Sequence, residues 1–226
     1  MTLQHLLIAF QVIAFMFAIS LHESAHAFTA WRCGDPTARM LGRVSLNPIR
    51  HIDPFGTVIL PLIAMLTHLP VIGGAKPTPV DPRNFRHPIR DAILTSVAGP
   101  ISNFLAATGA VILMAVISMT SAQGHQVVQN LARGFLSETN SILLPLSLLL
   151  YEAMQINVVL GVFNLIPVPP LDGSHVVRHM LSDSARQVYD RVGMIGLLIL
   201  VVAGGRLLGA LIAPFFNLFN AVLMSI

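Results

Sequence analysis

Residues 22–26 read His-Glu-Ser-Ala-His and interrupt an otherwise apolar run. Upstream lies LLIAFQVIAFMFAI, which carries no charge, and the next charged residue downstream is Arg32. On a helix, His22 and His26 share one face, so a single zinc ion can take a nitrogen from each. Glu23, beside the first ligand, is placed to receive the proton of an attacking water, the role of the glutamate in a helical H-E-x-x-H site. Insertion scales assign about 2.5–3.5 kcal/mol to an Asp, Lys or Arg at the middle of a span. Glutamate with two histidines carries a comparable cost, and ionisable groups that costly within a span mark function. The plainer alternative is three polar residues lining a helix contact.

A catalytic zinc site takes three protein ligands and keeps a fourth position open. The third ligand must be a His, Asp or Glu at matching depth. NLIPVPPLDG, residues 164–173, offers Asp172 after a break at Pro167, Pro169 and Pro170. Taken alone, Asp172 before Gly173 also reads as an ordinary turn. Depth favours the ligand. His22 precedes Arg32 by ten residues, about 15 Å of helix, and Asp172 precedes Arg178 by six, about 9 Å.

These residues need a membrane scaffold. The 226-residue chain is 54% hydrophobic and 10% charged, with mean hydropathy +0.75. A soluble domain carries about 25% charged residues, so several membrane spans are expected. The net charge of +3 comes almost wholly from arginine and gives no reason to expect nucleic acid. Cys33, the single cysteine, excludes an internal disulfide. The apolar run 3–31 is too long for a signal peptide and lacks its basic leader, so it reads as a retained span.

Apolar stretches lie at 3–31, 55–72, 92–119, 142–166 and 192–224. The basic loops are 32–54, 73–91 and 172–191, whereas 120–141 has Arg133 alone. All three basic loops face the cytoplasm if 55–72 is re-entrant, and Pro61, Pro70 and the flanking glycines suit such a segment. The same topology brings the C-terminal ends of the first and fourth stretches to one side, as shared ligation requires. The fifth stretch, broken near Gly204-Gly205-Arg206 and again at Pro214, crosses once or as a hairpin. Residues 42–49 and 73–82 read as either edge strand or loop. The expectation is an all-α polytopic membrane protein of about four to six transmembrane helices, with a re-entrant segment and a short membrane-associated strand or loop region. It forms one membrane-embedded domain over 1–226, with a catalytic core at about 3–173 and C-terminal helices at 174–226.

Three motifs, HESAH at 22–26, SVAGPISN at 96–103 and NLIPVPPLDG at 164–173, stand in an order that resembles the site-2 proteases, zinc metalloproteases that cleave within the membrane. The resemblance covers residues 22–173, and the last motif matches the family's N-x-x-P-x-P-x-x-D-G at every fixed position. It implies one zinc ion held by His22, His26 and Asp172, with Glu23 as base. It also implies that Asn103 and Asn164 help bind the scissile peptide. Asn103, twelve residues past Asp91, lies about 18 Å into its helix, where its amide can donate to an oxyanion; a helix-to-helix hydrogen bond is the alternative for each asparagine. No length remains for PDZ-like or nucleotide-binding domains, so the compact form is expected. The implied partners are a transmembrane protein substrate and the bilayer; compactness points to a prokaryotic plasma membrane, and the basic loops put the site toward the cytoplasm. Oligomeric state and natural substrate are not legible.

Two rivals are a metal-handling transporter and an inactive homologue. A transporter needs polar groups through the full depth, whereas the ligands here cluster in one half. An inactive homologue conflicts with an intact Glu23 and ligand set. Glu152, Gln155 and Asn157 are read as pairing within the bundle, and His175 and His179 as part of an amphipathic helix and not a second metal site. The segments 73–82 and 42–49 are candidate edges for an unwound substrate strand.

Overall fold

The computed structural model describes residues 3–53, 76–136 and 141–226. Long, mainly apolar stretches give the long helices: α1 (Leu3–Cys33), α3 (Pro88–Thr120), α5 (Leu143–Leu165) and α8 (Gly205–Met224) are each long and apolar enough to cross a membrane. Four such helices among the described residues meet the expected four to six. Shorter helices fill the connections: α2 (Thr37–Met40), α4 (Ala122–Ala132), α6 (Asp172–Arg178) and α7 (Asp183–Ala203). Single 3₁₀ turns stand at Pro48–Arg50 and Pro82–Asn84.

The described residues contain no β-strand. Within the segments 42–49 and 73–82, expected as strand or loop, residues 43–47 and 76–81 are loop. A strand is defined by the neighbour it pairs with, and among the described residues no second extended segment pairs with either. The stretch 55–72, expected to be re-entrant, falls outside the described residues. The fifth apolar stretch divides at Gly204 into α7 and α8, but the second expected break is absent, because α8 runs through Pro214. Proline removes one ladder hydrogen bond, and helices that neighbour lipid retain the rest because no water replaces them.

The backbone divides into two compact units. One comprises residues 1–18, 103–160 and 210–226. Its core holds Ala107, Met114, Val128, Leu148, Met154, Val158 and Leu223. Several polar side chains there pair internally, as burial in an apolar setting favours. Asn157 Nδ2 donates to the Ala153 carbonyl (2.8 Å), and Gln129 Nε2 donates to the Leu223 carbonyl (3.1 Å). Glu152 is bonded to Gln11. The amphipathic α4 was not legible as a helix in the loop 120–141; Ser121 Oγ caps it by accepting from Gly124 N–H at 2.9 Å.

The second unit comprises residues 19–102 and 161–209. It gathers the C-terminal ends of α1 and α5 with the N-terminal end of α3. The connection from α1 to α3 begins and ends at one place, since Arg86 N–H donates to the Cys33 carbonyl (3.1 Å). Asp35, fully buried, ties this connection together. It accepts from the Thr37 N–H and hydroxyl, from Asp81 N–H (2.8 Å) and from Asn84 Nδ2 (2.9 Å). Burial pushes the Asp35 carboxyl up, but the donors, with the Thr37 hydroxyl and Asn84 amide foremost, outweigh it and hold the group below the usual carboxylate range. Arg39 stacks over the Trp31 ring at 3.9 Å, an interfacial pairing at the end of the first span.

Candidate metal centre

The i, i+4 spacing on α1 turns both imidazoles to one side, and both side chains are buried. His22 Nε2 and His26 Nε2 stand 3.0 Å apart. Asp172 Oδ2 lies 3.0 Å from His22 Nε2 and 3.3 Å from His26 Nε2. The expected third ligand thus meets the first two, within one unit of the fold. Ligand atoms 2.0–2.2 Å from a tetrahedral zinc would be separated by about 3.3–3.6 Å, a few tenths of an ångström longer than the two 3.0 Å separations.

Hydrogen-bond chemistry shows that this cluster suits a cation. His26 Nδ1 lies 2.7 Å from the Thr95 carbonyl oxygen. A carbonyl only accepts, so Nδ1 carries the proton, and in the neutral ring Nε2 presents a lone pair. That lone pair faces Asp172 Oδ2, which is buried and receives no hydrogen bond. A carboxylate oxygen and an imidazole lone pair at this distance repel unless positive charge, a metal ion or a second ring proton, stands between them. The Thr95 carbonyl thus stands where an outer partner would fix the tautomer of a ligating histidine. Because it is a backbone atom, no side-chain pattern announces it.

The chain delivers Asp172 through the proline break. Pro167 cannot continue α5, and the main chain turns through Val168 N–H to the Ile166 carbonyl (2.8 Å) and Leu171 N–H to the Val168 carbonyl (2.9 Å). Asp172 then opens α6. Gly173 permits this tight return, since a Cβ there would stand 2.2 Å from the Leu165 carbonyl oxygen. α7 braces the turn: Tyr189 hydroxyl donates to the Pro167 carbonyl (2.8 Å), and Arg178 pairs with Asp190 (2.9 Å). His175 and His179 join no metal-capable cluster among the described residues.

α3 closes the other side. Thr95 and Gly99 are one turn apart and face α1 together. A Cβ on Gly99 would lie 2.4 Å from His26 Nε2 and 2.6 Å from His22 Nε2. Gly99→Ala is accordingly expected to weaken zinc binding by about 10–100-fold, the size of effect seen when a ligand's support is disturbed. Competition with a chromogenic chelator measures it. Gly109→Ala in the same helix, where a Cβ meets nothing within 4 Å, should leave affinity unchanged.

Glu23, half-buried, accepts two hydrogen bonds from Thr78: from its N–H (3.1 Å) and its hydroxyl (2.7 Å), both on Oε2. Asn103 belongs to the other unit, where Nδ2 donates to Asn157 Oδ1 (2.8 Å) and approaches the Ala18 carbonyl (3.3 Å). Asn164 is half-buried near the end of α5. Thr78, Thr95 and Gly99 are the neighbours of the site that the sequence reading assigned no part at the metal. Of these, Gly99 carried a visible signal, as a glycine in a motif-bearing span.

Comparison with known proteins agrees with this geometry. Residues 10–203 match the pattern of peptidase family M50. The "Putative zinc metalloprotease YwhC" of Bacillus subtilis (strain 168) is 34% identical over 196 residues, which are 87% of this chain and 80% of that protein. The "Putative zinc metalloprotease Rip2" of Mycolicibacterium smegmatis is 28% identical over 194 residues, 84% of this chain and 64% of that protein. No solved structure matches. With most of its length matched and a metal-capable cluster at the motif positions, the chain belongs to peptidase family M50, the site-2 protease family.

Proposed function

We propose that the chain is an intramembrane zinc metalloprotease that hydrolyses peptide bonds within or near transmembrane segments of membrane proteins. One observation carries the reading: two buried imidazole nitrogens and an undonated carboxylate oxygen converge from separate helices. His22, His26 and Asp172 hold one zinc ion per chain. Zinc held there supplies Lewis acidity, which lowers the pKa of a bound water to about 7 and polarises the scissile carbonyl. Glu23 takes the water's proton and returns it to the leaving amine. Asn103 and Asn164 are assigned to the scissile peptide on the family resemblance. For Asn103 to donate to an oxyanion, its amide must release one of its present acceptors. The protein sits in the cell membrane with the metal toward the cytoplasm, a placement supported by the basic residues flanking α1, α3 and α6.

The test is cleavage of a labelled transmembrane substrate in proteoliposomes. A chelator should abolish cleavage, and stoichiometric zinc should restore it. Zinc flux across the vesicle without cleavage of any substrate in a panel would favour a transporter and overturn this reading.

A further inference from the structure

The segment after Lys76 reads Lys-Pro-Thr-Pro-Val-Asp-Pro. Each proline fixes its own φ and bars the residue before it from helical conformation. Thr78 lies between Pro77 and Pro79, so its backbone is held extended and its N–H is not drawn into a local turn. Both flanks are also anchored. Lys76 N–H donates to the His51 carbonyl (2.9 Å), and Asp81 N–H and Asn84 Nδ2 donate to the buried Asp35 carboxylate (2.8 and 2.9 Å). Thr78 reaches α1 from this fixed strap. Its N–H and hydroxyl bond Glu23 Oε2 (3.1 and 2.7 Å), and the hydroxyl also lies 3.1 Å from the Glu23 carbonyl oxygen.

The geometry points to Thr78 as a positioning residue for Glu23: it locks one carboxylate oxygen in place so that the other receives the proton of the attacking water. This rests on the protease reading. A glutamate side chain has three rotatable bonds, and a base is effective only within hydrogen-bond reach of the proton that it abstracts. Two donors converging on Oε2 remove that freedom before substrate arrives, which is preorganisation of a catalytic group. The carboxylate gains the fixed orientation from a strap that is itself pinned to Asp35 and His51, not from its own helix.

The test compares wild type, Glu23→Gln, Thr78→Val and Thr78→Ser in zinc-loaded protein on a labelled transmembrane substrate. Valine keeps the shape and the N–H but removes the hydroxyl. Thr78→Val should lower kcat about tenfold or more, the scale of one lost bond to a charged group, with KM and zinc content unchanged, and Thr78→Ser should recover most of the rate. A second arm needs no activity. In zinc-stripped protein, the Thr78 amide should exchange hydrogen faster in Glu23→Ala than in wild type. Wild-type kcat in Thr78→Val, a change in KM alone, or unaltered amide exchange in Glu23→Ala would each overturn the assignment. If wild type itself cuts nothing, the protease reading falls, and the exchange arm still decides whether Thr78 holds Glu23.

Discussion

Glu23→Gln is expected to abolish measurable cleavage, with kcat lowered by about 10²–10⁴-fold, the usual contribution of a positioned proton acceptor, while zinc stays bound. Glutamine keeps the length and planarity of the side chain, and its carbonyl oxygen can still accept from Thr78 N–H and hydroxyl, as Oε2 does now. What it loses is the capacity to take a proton. The three ligand atoms are untouched, because none comes from Glu23. Metal content by mass spectrometry of the purified variant should therefore equal that of wild type. An active Glu23→Gln protein would remove the base from the mechanism. A metal-free one would show that Glu23 supports the ligand set.

Asp172→Ala should lose zinc as well as activity. His22 and His26 remain close together on α1, but two imidazoles do not make a stable catalytic site. The loss in affinity should exceed the roughly 10–100-fold seen when only a ligand's hydrogen-bond partner is removed. Stability gives the contrasting readout. Asp172 Oδ2 faces His22 and His26 Nε2 at 3.0 and 3.3 Å, and a zinc ion held among the three would tie α1 to the turn that opens α6. Added zinc should therefore raise Tm in wild type and leave that of the variant unchanged. A variant that melts far lower without metal would make Asp172 a structural residue of the turn.

The parts of this site legible in the sequence are those governed by local rules. Helical period places His22 and His26 on one face without any tertiary information. Asp172 was reachable because the membrane supplies a depth coordinate that soluble proteins lack, so residues far apart in the chain can be matched by distance from the nearest charge. The four candidate spans follow from apolar length alone. What was not legible depends on long-range partners. Thr78 meets Glu23 across 55 positions, and nothing in Lys-Pro-Thr-Pro says where its hydroxyl points. The extended character of that segment was visible, but the Thr78 donors turn to a side chain of α1, and no strand forms among the described residues. Pro214 misled because a local helix-breaking rule gives way where lipid leaves backbone groups no other partner. α4 was missed because the near absence of basic residues, the signal used for 120–141, reports sidedness and is blind to amphipathic pattern.

The pairing of Thr95 and Gly99 against the two imidazoles also limits how a polypeptide can enter. A lateral opening that slid α3 off α1 at this level would withdraw the carbonyl that sets the His26 tautomer and would unseat the surface on which both rings rest. Such a movement would disturb the proposed metal site itself. A polypeptide that reached the proposed site with its ion in place would have to do so without displacing this stretch of α3.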